Sequence, residues 1–154
     1  MSITYLDTSA LIKRYVAEVG SEWIRDLLVY SGAPTACTSH LTVVEAACAF
    51  ARRRREGFLS PEDHAETLRA FDHDFAYAYN ILDVTTEVLD AARSLANEYP
   101  LRAYDAVHLA TAWLANRELV QAGQPPLIFI CADDRLLDVA VAVGLMTENP
   151  NRYP

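Results

Sequence analysis

The run Leu127-Ile128-Phe129-Ile130, with Pro126 before it and Asp133-Asp134 after it, constrains the fold more than any other segment of the chain. A strand with one wet face alternates apolar and polar residues. Four consecutive apolar residues bounded by a breaker describe instead a strand covered on both faces, the situation of a parallel sheet flanked by helices. The remaining β-type runs, at 3–6, 35–39 and 81–84, are as short. Between the runs lie helical patterns: Leu11 to Val19, stopped by Gly20; 21 to about 30; 42 to about 56, stopped by Gly57; 60 to about 79, opening on Ser60-Pro61; 86–98; 102–117; and Asp133 or Asp134 to about 143. Residues 145–147 are a candidate edge strand. Strands alternating with helices argue for a parallel α/β sandwich.

The chain has 154 residues, no internal repeat and no long linker, and its Pro/Gly-containing pieces at 32–34 and 123–126 are ordinary loops. It reads as one domain over 1–147 with a tail at 148–154. A domain of this size buries roughly 70% of its unfolded surface and needs no disulfide to fold. Cys37, Cys48 and Cys131 are an odd number, without CxxC spacing and each in an apolar stretch, as buried thiols in a reducing cytosol would be. The longest apolar run, 139–146, is too short to span a bilayer, and no signal-peptide pattern is present. A soluble, cytoplasmic protein without a membrane partner is expected.

The 13 Lys and Arg residues stand against 21 Asp and Glu, a net charge of −8. That balance opposes tight, sequence-blind binding to nucleic acid, so any chemistry on nucleic acid must use a local basic patch or bound cations. Among the acids, Asp7, Glu45, Asp105 and Asp133 share a placement at a strand end or in the first turns of a helix, where open parallel sheets put their sites. Each also has a structural alternative. Asp7 and Asp133 suit N-caps, Glu45 closes a capping box with Thr42, and Asp105 suits the positive end of a helix dipole. Jointly they point elsewhere, because the carboxyl ends of parallel strands lie along one edge and would bring the acids into one crevice. Clustered carboxylates repel unless a cation sits among them, and a pocket of hard oxygen ligands favours Mg²⁺ or Mn²⁺ over zinc. The chemistry that suits such a pocket is hydrolysis of phosphate esters.

The segments Tyr5-Leu6-Asp7-Thr8-Ser9-Ala10-Leu11, Thr42-Val43-Val44-Glu45, Arg102-Ala103-Tyr104-Asp105-Ala106-Val107-His108-Leu109-Ala110 and Ala132-Asp133-Asp134-Arg135-Leu136 resemble, in order and spacing, the PIN-domain ribonucleases, most of all the VapC-type toxins of toxin–antitoxin pairs. The resemblance runs from Ile3 to Leu145. It implies a three-layer α/β/α sandwich with a central, mainly parallel sheet, an Mg²⁺- or Mn²⁺-dependent endoribonuclease, inhibition by a small cognate antitoxin, and a homodimer. Asp7, Glu45 and Asp105 match the family's metal-pocket acids and Asp133 its more variable fourth, with Asp134 leaving that position ambiguous by one residue. Ser9 matches a small hydroxyl residue able to support a metal-bound carboxylate or water, and equally reads as a helix-start serine.

Other features carry two readings each. Arg52 and Arg53 follow Glu45 by seven and eight residues, on the same helix face about 10 Å on. They fit a track for RNA phosphates, a solvated helix C-terminus, or an antitoxin contact. His108, one turn beyond Asp105, reads first as a packed helical histidine and otherwise as support for the acids. Phe71, Phe75, Tyr77 and Tyr79 read as core or partner-facing residues. A receiver-like signalling domain would want a lysine near the last strands, whereas the only lysine is Lys13. An aspartyl phosphatase would want an acid where Ser9 stands. A non-catalytic metal- or partner-binding module is the remaining alternative.

Overall fold

The computed structural model of the protein describes residues 3–30 and 36–154. The expected loop at 32–34 and the first residue of the expected strand 35–39 lie outside them. Five strands, β1 (Thr4–Leu6), β2 (Ala36–Ser39), β3 (Asn80–Leu82), β4 (Ile128–Ile130) and β5 (Met146–Glu148), form one sheet in the order β3-β2-β1-β4-β5. Every pairing is parallel, and Tyr5 lies opposite Cys37 on one side and Phe129 on the other. Chain order reverses beside β1, so the crevice outside the carboxyl ends of β1 and β4 is the topological switch point.

Among the described residues seven helices connect the strands: α1 (Thr8–Leu11), α2 (Ser21–Tyr30), α3 (Thr42–Arg55), α4 (Pro61–Tyr77), α5 (Thr86–Glu98), α6 (Ala103–Gln121) and α7 (Asp134–Ala142). Alternation along the strands sorts them into layers. Tyr5, Cys37 and Phe129 pack with Leu109 of α6 and Leu136 and Leu137 of α7, and α5 closes over α6 through Val88 and Ala92. On the other face Leu6, Ala36 and Ile130 pack with Leu11, Ile24, Phe50 and Phe71 from α1 to α4. The architecture is the α/β/α sandwich, with the sheet wholly parallel.

Helix boundaries follow local chemistry. Ser60 caps α4 by accepting from the Asp63 N–H, with Pro61 in the first turn, and Thr85 caps α5 through the Val88 N–H. The helical pattern of 11–19 is not one helix: α1 ends at Leu11, a 3-10 turn covers Ile12–Arg14, and the chain then bends. The carbonyls beyond are served by side chains, Val16 O by the Ser21 hydroxyl (2.9 Å) and Val19 O by the buried Lys13 ammonium (2.8 Å). The third strand runs 80–82, earlier than the expected 81–84, and α6 extends past the expected 117. Cys37 and Cys131 are buried as expected, but Cys48 is exposed, two residues from the core-facing Ala46 and Phe50 and so on the other side of α3. The tail expected at 148–154 begins inside β5, and Asn149 and Pro150 are buried. No helix of the described residues is long and apolar enough to cross a membrane.

Candidate functional site

The last residue of β1, Leu6, delivers Asp7 to the edge of the sheet, where it caps α1. The Asp7 carboxylate is 5% exposed and accepts from three neutral donors: the Ser9 hydroxyl (2.7 Å) and Ala10 N–H (3.0 Å) on Oδ1, and the Cys131 thiol (3.2 Å) on Oδ2. Burial raises its pKa above the ordinary carboxylate value, while the charge of His108 and these donors work against the rise.

Beyond β2, α3 begins without a side-chain cap, and the capping box of Thr42 and Glu45 does not form. Thr42 bonds Thr38 (2.7 Å) instead, and Glu45 turns to the neighbouring elements. Its Oε1 accepts from the Thr8 hydroxyl (2.8 Å) and is bonded by His108 Nε2. Burial pushes the Glu45 pKa up, but the hydrogen bond and charge of His108, with Thr8, outweigh it and hold the group below its ordinary value. The partners of Glu45 thus favour its charged form.

His108 is 2% exposed, and its ring spans three elements. Nδ1 meets the Tyr5 hydroxyl of β1 at 2.8 Å, and Nε2 lies 3.2 Å from Thr8 Oγ1. Because the Thr8 proton goes to Glu45, Nε2 is the donor to both Thr8 and Glu45. The histidine that reads first as packing thus holds a site acid, the supporting role that was the second reading. Thr8 and Cys131 carry no sequence signal of their own beyond adjacency to Asp7 and Asp133. Arg102, just before α6, belongs with them as a cation acting on Asp105.

Asp105 lies in the first turn of α6, half-buried. Burial raises its pKa, and the charges of Asp7 and Asp133 raise it further, against Arg102 and His108. Acids from two other segments, Asp7 and Asp133, therefore act on Asp105 across the switch point. Asp133 follows β4 and caps α7 through the Arg135 N–H (2.9 Å). Asp134 is turned toward the C-terminal segment, accepting from Asn149 Nδ2 (2.8 Å) with Arg152 at 3.7 Å. Of the two consecutive acids, Asp133 is the one that acts on Asp105.

Ser9 joins the first and fourth segments: it accepts from the Ala132 N–H (2.9 Å) and donates to Asp7. Arg53 is bound to Glu18 (2.7 Å), which also takes Lys13 (3.4 Å), so half of the expected basic track is neutralised within the chain, while Arg52 is exposed. Among the described residues no three His, Cys, Asp or Glu side chains are grouped so that they could hold a metal ion as they stand. The chemistry of the acids nevertheless fits a hard divalent cation: they offer carboxylate oxygens, and the repulsion that Asp7 and Asp133 exert on Asp105 is of the kind such an ion would relieve.

The PIN domain model matches residues 4–141. Ribonuclease VapC45 of Mycobacterium tuberculosis is 33% identical over 144 residues, 94% of this chain and 93% of the relative. A toxin-antitoxin complex from Klebsiella pneumoniae shares the fold with a TM-score of 0.64 at 18% identity, over 96% of this chain and 97% of that one. The crystal structure of PAE2754 from Pyrobaculum aerophilum does so with a TM-score of 0.64 at 22% identity, over 96% and 92%. The matched span contains all four acids and every strand but β5, and on it the chain belongs to the PIN domain family.

Proposed function

We propose that this protein is a Mg²⁺- or Mn²⁺-dependent endoribonuclease, the toxin of a toxin–antitoxin pair, acting in the cytoplasm and restrained by a small cognate antitoxin as part of a homodimeric assembly. Asp7, Glu45, Asp105 and Asp133 hold the metal, Ser9 supports them, and Arg52 contacts RNA phosphate. Arg53 adds to that contact only to the extent that Glu18 releases it. The observation that carries the reading is the convergence of Asp7, just beyond β1, and Asp133, beyond the adjacent β4, on Asp105 in the first turn of α6, where their charges add to the effect of burial. The relatives' names, ribonucleases and toxin–antitoxin complexes, point the same way.

When bound, a divalent cation supplies a Lewis acid that makes hydroxide from water and stabilises the leaving oxygen. The chain's own residues prepare the place for it. Ser9, Cys131 and the Ala10 N–H fix Asp7 without neutralising it. His108 and Thr8 fix Glu45 in its ionised form. Exposed Arg52 offers a charge to the backbone of an unpaired RNA segment, the form in which RNA can enter a crevice between loops.

The test is cleavage of a structured RNA with Mg²⁺ or Mn²⁺. Cuts at a few loop positions are expected, leaving a 5′-phosphate and a 3′-hydroxyl, and EDTA stops them. Asp7→Asn abolishes cleavage with the circular dichroism spectrum unchanged, and relieves the growth arrest that expression of the wild type causes. A 2′,3′-cyclic phosphate product, or full activity in EDTA, overturns the proposal.

A further inference from the structure

The segment after β5 forms the outer wall of the turn that carries the fourth acid. Asn149 is 2% exposed, and both ends of its amide are engaged. Its Oδ1 accepts from the Asn151 N–H at 2.9 Å, and its Nδ2 donates to Asp134 Oδ1 at 2.8 Å. A carboxylate only accepts and a backbone N–H only donates, so the two partners fix the orientation of the amide. Asn151 Nδ2 donates to Ala132 O at 3.3 Å, while the Ala132 N–H goes inward to Ser9. One residue, Ala132, is thus held on its N–H by Ser9, which is bound to Asp7, and on its C=O by the C-terminal segment. Within the turn, the Cys131 sulfur accepts from the Asp133 N–H at 3.2 Å and donates to Asp7.

The wall has its own anchorage. Pro150 packs against Gly20 so closely that a Cβ there would meet Pro150 O at 2.3 Å, and the Tyr153 ring stacks on Trp23 at 4.6 Å and 4°. The segment cannot drift without unseating α2.

We propose that Asn149 is a positioning residue of the nuclease site: by binding Asp134 it determines that Asp133 is the acid presented to Asp105. Asp133 is the extended N-cap, with its carboxylate on the Arg135 N–H, and Asp134 is the first residue of α7, with its carboxylate on Asn149, so the two side chains leave the turn toward different partners and only Asp134 is taken by the outer wall. The sequence offers two acids there, and the buried amide selects between them. This rests on the reading of Asp133 as the fourth metal-pocket acid.

The experiment compares wild type, Asn149→Asp, Asp134→Ala, Asn149→Asp with Asp134→Asn, and Asp133→Asn with and without Asn149→Asp. Two quantities are read on each: the Mg²⁺ concentration giving half of the metal-induced rise in melting temperature, and the Mg²⁺ concentration for half-maximal RNA cleavage. Asn149→Asp sets two carboxylates against each other and is expected to raise both midpoints about tenfold, the usual size of an effect on residues supporting a metal site. The pair Asn149→Asp with Asp134→Asn restores one donor and one acceptor and returns both midpoints toward wild type. In the Asp133→Asn background, Asn149→Asp adds nothing, because its effect passes through Asp133. Asp134→Ala changes only an exposed acid, and it moves both midpoints in the same direction even if Asn149→Asp does not fold. Wild-type midpoints in Asp134→Ala or in folded Asn149→Asp, or an undiminished effect of Asn149→Asp in the Asp133→Asn background, overturn the proposal. Wild-type midpoints in Asp133→Asn overturn the fourth-acid reading, and the proposal with it.

Discussion

Replacing His108 by Ala removes a 2%-exposed ring that bonds Tyr5, Thr8 and Glu45. The buried Tyr5 hydroxyl is left without that partner, about 1–3 kcal/mol, and Glu45 without a charge-assisted bond, about 1.5–3 kcal/mol before discounting for its partial exposure. With Glu45 discounted for its exposure and the cavity added, the sum is roughly 3–6 kcal/mol, and at about 2–4 °C per kcal/mol the melting temperature falls by roughly 6–24 °C. His108→Gln, which keeps an amide donor, should cost less than half as much. Thermal unfolding in both the wild-type and the Glu45→Gln backgrounds separates a packing role from a positioning one. If His108 holds Glu45, its deletion costs about 1 kcal/mol less once Glu45 is neutral. Folded His108→Gln should also need more Mg²⁺ for half-maximal cleavage. Equal costs in the two backgrounds, together with an unchanged metal requirement, refute the assignment and return His108 to the core.

Asp105→Asn tests the repulsion directly. The folded-state pKa of Asp105 lies above the ordinary value, so its ionisation costs stability only as pH rises through that raised value; without metal the variant should melt a few degrees higher than wild type at pH 7 and equally below about pH 4. Mg²⁺ should then stabilise wild type more than the variant, and a difference independent of pH sinks the argument. Arg52→Ala should leave the melting temperature unchanged while lowering the salt slope of RNA binding by up to about 0.7 for each phosphate it no longer neutralises, whereas Arg53→Ala, which breaks the pair with Glu18, should cost about 0.5–1 kcal/mol of stability. Gly20→Ala must place a methyl against Pro150 at φ +82° and should cost roughly 2–4 kcal/mol and disturb the fluorescence of Trp23. Gly57→Ala, at φ +83° in open space, should cost about 1 kcal/mol.

The strands and the acids were legible because both are set by local pattern. An unbroken apolar run such as 127–130 has few homes besides a doubly covered strand, and an acid just past a strand end is carried to the sheet edge by topology. What sequence could not settle was direction. Glu45 in Thr42-Val43-Val44-Glu45 has the spacing of a capping box, but a stronger offer came from His108, 63 residues away. The pattern of 11–19 has helical spacing, and its failure beyond Arg14 depends on Ser21 and a buried Lys13 reaching its carbonyls. Arg53 reads as a free cation until Glu18, 35 residues earlier, is brought beside it. Asp133 and Asp134 are indistinguishable in sequence because the residue that separates them, Asn149, lies beyond β5 in what reads as a tail.

The four acids are held in different ways, and the difference locates the sensitive point of the site. Asp7 is fixed by uncharged donors, Asp133 is fixed by a backbone N–H, and Glu45 is tied to His108 and Thr8. Each of these carboxylates is anchored in place by a hydrogen bond. Asp105 is opposed only by Arg102 and His108 among the described residues, and it carries the repulsion of Asp7 and Asp133 on top of its own burial. The repulsion between carboxylates is therefore felt at the start of α6, at Asp105. A cation, a proton, or a positively charged side chain from a partner entering the crevice would relieve the same repulsion at the same residue. A partner that placed a guanidinium beside Asp105 would therefore be expected to lower the affinity for Mg²⁺ by the same factor that Mg²⁺ lowers the affinity for that partner.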